Sequence, residues 1–275
     1  MGHGILVPLD GSDLAGRVVP YAEELAAACD ADLVLARMVA NGTPAAQSGA
    51  LDAVMAIQHS CVARGLRVQT IIEGASPASG LLSVVARLDV ALLVMSTHGG
   101  SGPSRWVIGS VGEQLLRRVP IPALLLTPAV LDSGTAERLH RRVIVPVDGS
   151  ELSRQIYPAV RTLAGHLGAP ITLVRALETA AVLRVTFGEP FGPEPSELRR
   201  QIEERMLAGL RQRAREWSAT GLAADAAVVP GHAATAVLAL AAERGAGWLA
   251  MAAHGEGGHG GQAFGSTALA ILRQT

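Results

Sequence analysis

Two stretches of the chain carry residue types and spacings suited to holding a phosphate. The first runs Ser96-Thr97-His98-Gly99, then nine residues, then Gly109-Ser110-Val111. The second runs Ala252-Ala253-His254-Gly255, nine residues, then Gly265-Ser266-Thr267. Each follows an apolar run that reads as a buried strand (Ala91 to Met95 in the first case). Behind the first, Val111 to Arg118 reads as the start of a helix. A strand, a glycine-bearing loop and a helix start converge unpaired N–H groups on one point, which is an anion site. Each favourable contact of that kind contributes about 0.3–2 kcal/mol, so several are needed for micromolar affinity, roughly −8 kcal/mol.

A third feature lies at the end of the first strand. Ile5-Leu6-Val7-Pro8-Leu9 stops at Asp10-Gly11-Ser12, and Val143 to Val147 stops at Asp148-Gly149-Ser150. In an open parallel sheet, ligands bind beyond the carboxyl ends of the strands where strand order reverses. If strands one and four are neighbours, Asp10 and Gly99 flank one crevice. Asp10 then holds a ribose or base, and the amides near Gly99, Gly109 and Ser110 hold the phosphates. The bland reading of Asp-Gly-Ser is a turn and helix cap.

Asp10 recurs as Asp148, 138 residues on, and Gly99 as Gly255, 156 residues on. The chain is therefore two end-to-end repeats, the second carrying a net insertion of 18 residues around Glu178 to Ser196. Repeat one alternates strand and helix: helix Leu14–Cys29, strand Leu33–Val39, loop Asn41–Gly49, helix Leu51–Arg64, strand Val68–Ile72, helix Pro77–Leu88, strand Val90–Met95, strand Ala123–Thr127. Repeat two follows the same order: strand Val143–Val147, helix Leu152–Leu167, strand Ile171–Ala176, charged helix Glu197–Trp217, strand Ala226–Val229, helix Ala233–Arg244, strand Trp248–Met251. This predicts two tandem doubly wound, parallel-sheet α/β domains of Rossmann-like type. The expected boundaries are 1–128 and 143–275, with 129–142 as linker. Repeat two stops at Ala268 to Thr275, so it is expected to lack its fifth strand, leaving a sheet edge open to association.

Composition narrows the function. At 275 residues and 49% hydrophobic, the chain can build full cores, and a net charge of −1 gives no footprint for nucleic acid or an anionic membrane. All 23 basic residues are arginine, which excludes a Walker A lysine and Schiff-base chemistry. Two cysteines, Cys29 and Cys61, imply no disulfide framework. The apolar runs are too short to span a bilayer, so a cytoplasmic protein is expected. His98 and His254 have no ligand-spaced partner and read as turn residues, and His259 adds only a weak metal signal. Gly255 to Gly260 matches G-x-G-x-x-G literally, but it follows the fourth strand of its repeat and opens no βαβ unit, so it is discounted.

The strand ILVPLDGS, the turn VMSTHGG, the nine-residue spacer to GSV and the strand PIPALLL resemble the universal stress protein family, over both repeats and nearly the whole chain. The resemblance implies an adenine nucleotide alpha hydrolase-like fold and, through Gly-x2-Gly-x9-Gly-Ser/Thr, its ATP-binding branch. The first glycine is replaced in both repeats, by Ser96 and by Ala252. By position, Asp10 would contact the adenosine, Pro8, Leu9 and Met38 would line the adenine pocket, and Met95 would lie beneath the ribose. Gly99, Gly109, Ser110 and Val111 would hold the phosphates, with Arg105 in the spacer near the last of them. In repeat two the counterparts are Pro146, Asp148, Met251, Gly255, Gly265, Ser266 and Thr267. The resemblance implies an ATP-binding regulator of the stress response, with Mg²⁺ on the phosphates but no nameable protein ligand for it. It also implies a homo-oligomer or an intramolecular pair of repeats. The alternatives are a nucleotide-free interaction module of the same fold and a weak ATPase. Against the ATPase stand the missing Walker lysine, the absence of paired carboxylates by the loop and the lack of a Gly-x-Ser-x-Gly elbow.

Overall fold

The computed structural model describes residues 4–39, 44–98, 108–178, 196–254 and 264–274. The chain divides into two compact units, one ending at Glu137 and the next beginning at Arg138. In the first, strands β1 (Gly4–Pro8), β2 (Asp32–Met38), β3 (Val68–Glu73), β4 (Val90–Ser96) and β5 (Ala123–Leu126) form a parallel sheet ordered β3-β2-β1-β4-β5. The order reverses between β1 and β4, whose Ile5 and Leu6 stand opposite Leu92 and Leu93. In the second unit β6 (Val143–Pro146), β7 (Ile171–Leu177), β8 (Ala224–Pro230) and β9 (Trp248–Leu249) are parallel in the order β8-β7-β6-β9. Among the described residues it has no fifth strand.

Side-chain alternation explains why helices cover both faces. Leu6, Val34, Ala36 and Leu93 point to one side and pack on Leu81, Val84 and Val85 of the helix Pro77–Arg87 and on Leu115 of the helix Ser110–Leu116. Alternate residues, Leu33 and Leu35, are fully buried on the other. The second core repeats the scheme with Ile144, Val174, Val237 and Ile271.

Five predicted segments differ, three of them for a reason set by a proline. The helix expected over Leu14–Cys29 is two helices, α1 (Asp13–Gly16) and α2 (Val19–Cys29). Pro20 has no N–H to give Gly16 and its ring crowds that carbonyl, so α1 stops there. The helix expected over Leu152–Leu167 splits in the same way before Pro158, into Glu151–Arg154 and Tyr157–Leu167. The loop expected over Asn41–Gly49 is helical from Pro44, where α3 (Pro44–Ala63) begins; proline suits a first helical position, where no N–H is needed. Residues 129–142 hold a short helix, Pro128–Ser133, capped by Thr127, and a 3-10 turn, Ala136–His140. The fourth strand of repeat two is shorter than Trp248–Met251, ending at Leu249.

Between α2 and α3 lies a buried polar group. Glu23 meets Arg64 at 2.8 Å, which offsets the cost of an almost fully enclosed carboxylate. Burial first, and then the hydrogen bond to Glu23, push the neighbouring Cys61 thiol up to about 12. An unfolded thiol titrates near 8.5, roughly. The folded chain therefore holds this proton where the unfolded chain has lost it, and the stability it brings is lost as pH rises from about 8.5 towards 12. Urea unfolding at a series of pH values is expected to show a shallower alkaline loss for Cys61→Ala than for the parent. A thiol reagent at pH 8 is expected to leave Cys61 unmodified until urea is added.

Candidate nucleotide site

The Asp-Gly-Ser turn closes on itself. Asp10 Oδ1 accepts from Ser12 N at 2.9 Å and from Ser12 Oγ at 2.5 Å. Ser12 Oγ in turn caps α1 by accepting from Ala15 N at 3.2 Å. In the second unit Asp148 Oδ1 accepts from Ser150 N at 2.8 Å, and Ser150 Oγ from Ser153 N at 3.0 Å. The turn-and-cap reading thus describes the geometry, and that geometry fixes an aspartate at the carboxyl end of β1 and of β6. Gly11 and Gly149 have φ of +84° and +94°, a region closed to most side chains.

Strand pairing brings the second feature beside the first. Thr97 follows β4, donates its N–H to Leu126 O of β5 at 2.9 Å and accepts from Gly109 N at 3.0 Å. The two sides of the spacer are therefore joined by a backbone hydrogen bond. In the second unit Gly265 N donates to Ala253 O at 2.8 Å in the same way. This corrects one sequence-based expectation: the Gly109 amide is taken by Thr97 and does not face a ligand. The amides of Ser110, Val111 and Gly112, in the first turn of the helix Ser110–Leu116 (α4 follows α3 as Pro77–Arg87, and this helix is α5), have no protein acceptor among the described residues. Ser110 and Val111 are exposed.

Gly109 is the N-cap of α5, with φ −63° and ψ 156°, a conformation any residue adopts. A Cβ there would meet none of the described residues within 4 Å. Neither backbone strain nor crowding by the described residues calls for glycine at this position. Gly265, at φ −68°, caps the helix Ser266–Leu272 without strain either.

The remaining expected residues fall as follows. Pro8 and Pro146 are half-buried at their strand ends, but Leu9 is 5% exposed and turned into the core, so only its main chain reaches the crevice edge. Met38 packs where a side chain on Gly80 would be, and Met95 Cε lies against Gly112; both adjoin the core below the site. Met251 adjoins the second core. Ser96 is buried and donates its hydroxyl to His98 O at 2.5 Å. Its side chain closes the turn, leaving no proton to offer a ligand. His98 Nδ1 lies 2.9 Å from Thr97 Oγ1, consistent with a turn role. Ser266 is exposed and Thr267 half-buried in the first turn of their helix. Gly99, Gly255, Arg105 and His259 lie outside the described residues.

Sequence reading missed Arg37 and Arg175, whose guanidinium groups lie against Gly11 and Gly149. The signal was available, since the two arginines are also 138 residues apart.

Two parallel-sheet α/β units, each with an aspartate turn after its first strand and a closed, glycine-ended spacer after its fourth, define a tandem-repeat doubly wound protein. The model of the universal stress protein family matches residues 1–127 and again 140–275, and the chain belongs to that family. It is 25% identical over 136 residues to a universal stress protein of Methanocaldococcus jannaschii, an alignment covering 44% of this chain and 80% of that one. The fold is similar to that of a universal stress protein from Archaeoglobus fulgidus DSM 4304, with TM-score 0.63, 16% identity and coverage of 90% of this chain and 85% of that one. It is also similar to a functionally unknown protein from Pseudomonas aeruginosa PAO1, with TM-score 0.65, 18% identity and coverage of 98% and 89%. Among the described residues no helix is long and apolar enough to cross a membrane.

The two glycines of repeat one predict opposite responses in chemical denaturation. Gly11→Ala is expected to lose more than about 1 kcal/mol, being strained at positive φ. Gly109→Asp is expected to stay within about 0.5 kcal/mol of the parent, because aspartate is a good helix N-cap.

Proposed function

We propose that the chain is an adenine-nucleotide-binding regulator of the universal stress type, and that repeat one is its ATP site. The observation that carries this reading is Gly109, a helix-capping glycine in ordinary conformation whose absent Cβ would meet none of the described residues within 4 Å. A residue with no structural need to be glycine leaves room for a group that is not protein. The amides of Ser110, Val111 and Gly112, without an acceptor among the described residues, are donors suited to phosphate oxygens. Asp10, fixed by Ser12, is suited to ribose hydroxyls or base amines, with Pro8, Met38 and Met95 as the apolar floor. The family resemblance points the same way.

In this reading ATP binds without a dedicated catalytic group. A magnesium ion would sit on the phosphate oxygens; the one carboxylate of α5, Glu113, is held by Arg117 at 2.6 Å. Repeat two is the weaker candidate for a physical reason. In repeat one the turn before the spacer is anchored by Thr97 N to Leu126 O of β5, and among the described residues the second sheet has no such strand. A turn without that anchor has more freedom to lose on binding.

Isothermal titration of ATP into the full chain tests the reading. One nucleotide per chain, abolished by Gly109→Asp with unfolding unchanged, is the expected result. Two per chain, one of them removed by Gly265→Asp, would extend it to repeat two. No heat and no thermal shift at millimolar ATP would overturn it and leave the nucleotide-free interaction module standing.

A further inference from the structure

The penultimate residue of β2, Arg37, and its counterpart Arg175 in β7 are half-buried at the same sheet edge as the aspartate turns. Over the aligned stretches Leu33–Met38 and Ile171–Ala176, only Leu35/Leu173 and Arg37/Arg175 are identical. A leucine kept inside a core is unremarkable, but an arginine kept at an edge calls for a cause. Charge pairing does not supply one. Arg67 and Arg142 meet carboxylates at 2.5 and 2.8 Å, whereas no hydrogen bond or ion pair reaches the Arg37 or Arg175 side chain among the described residues.

What the two arginines share is the glycine of the turn. A Cβ on Gly11 would fall 2.6 Å from Arg37 Nη2, 3.0 Å from Cζ and 3.1 Å from Nη1. On Gly149 it would fall 2.9 Å from Arg175 Nη1, 3.1 Å from Cζ and 3.2 Å from Nη2. In both units the guanidinium lies across the space that the absent side chain leaves. Three guanidinium atoms at nearly equal distance describe a flat group seated on the turn, a contact that a lysine ammonium on its flexible stem does not reproduce. The same turn carries the aspartate: Ser12 N–H reaches back over Gly11 to Asp10, and Ser150 N–H over Gly149 to Asp148.

We propose that Arg37 and Arg175 are positioning residues, each clamping its Asp-Gly-Ser turn so that the aspartate carboxylate stands pre-oriented at the sheet edge. The clamp acts through the turn and not by touching the ligand. Its affinity consequence rests on the nucleotide reading above, and its effect on the turn does not.

The test uses the full chain with Arg37→Met, Arg37→Lys and Arg175→Met. NMR order parameters of the Gly11 and Ser12 amides are expected to fall from about 0.85 to below about 0.6 in both Arg37 variants, with Gly149 and Ser150 unaffected. Arg175→Met is expected to do the reverse. Thermal unfolding is expected to stay put, while ATP binds Arg37→Met about tenfold more weakly, by about 1.4 kcal/mol. A turn that loosens in a chain that never binds ATP supports the clamp and sinks only the nucleotide reading. Unchanged order parameters, a lysine variant as rigid as the parent, or loosening that spreads through β1 with a fall in melting temperature would each overturn the proposal.

Discussion

The parallel pairing of β1 with β4, and of β6 with β9, is the constraint on which the candidate sites depend. Strands β1, β2 and β3 step outward in one direction, and β4 returns to the other side of β1. Only because of that reversal does a turn at residues 10–12 stand beside a loop that begins some ninety residues later. The pairing is held by side chains removed from water, with Leu6 and Leu93 both at 0% exposure. Loss of such burial costs more than any single hydrogen bond at the site supplies. The core therefore dictates where the polar groups meet, and the polar groups only refine how they are aimed.

Refinement differs between the repeats. In the first, β5 accepts the Thr97 amide and steadies the turn from outside. In the second, β9 is two residues long and among the described residues ends its sheet, and Gly265 reaches the equivalent turn at Ala253 O. The packing beneath has drifted too. Met38 over Gly80 in one unit becomes Ala176 and Ala236 in the other, which trades a long flexible side chain for two small ones at related positions. The polar frame of aspartate, glycine, serine and arginine has stayed the same while its apolar support changed.

The architecture was legible in the sequence because it is written in repeating signals: apolar runs of strand length, helical spacing between them, and the 138- and 156-residue offsets. Proline placement was legible in principle and misread. Pro20 and Pro158 stand inside otherwise continuous helical patterns, and the breaks fall four residues before them, where the missing N–H and the ring act. The candidate site was named at Asp10, Gly109 and Ser110 from residue types and spacing alone, as a proposal. It was not legible at Leu9, because period-two alternation turns that side chain inward, nor at Ser96, whose hydroxyl is spent on the carbonyl of His98. The fate of the Gly109 amide depends on a contact with Thr97 twelve residues earlier, which no local pattern announces.

That contact has a consequence for how such a protein can vary. Among the described residues, a backbone hydrogen bond joins the two sides of each spacer, 3.0 Å in one repeat and 2.8 Å in the other. The entropy of closing a loop grows only with the logarithm of its length, at about 0.6 kcal/mol per doubling. The spacer is therefore a module with a fixed socket: its composition can be exchanged, from the arginine-bearing GSGPSRWVI to the glycine-rich EGGHGGQAF, while the scaffold that receives it keeps its shape. A duplicated chain of this design can change the chemistry of one spacer without disturbing the other repeat.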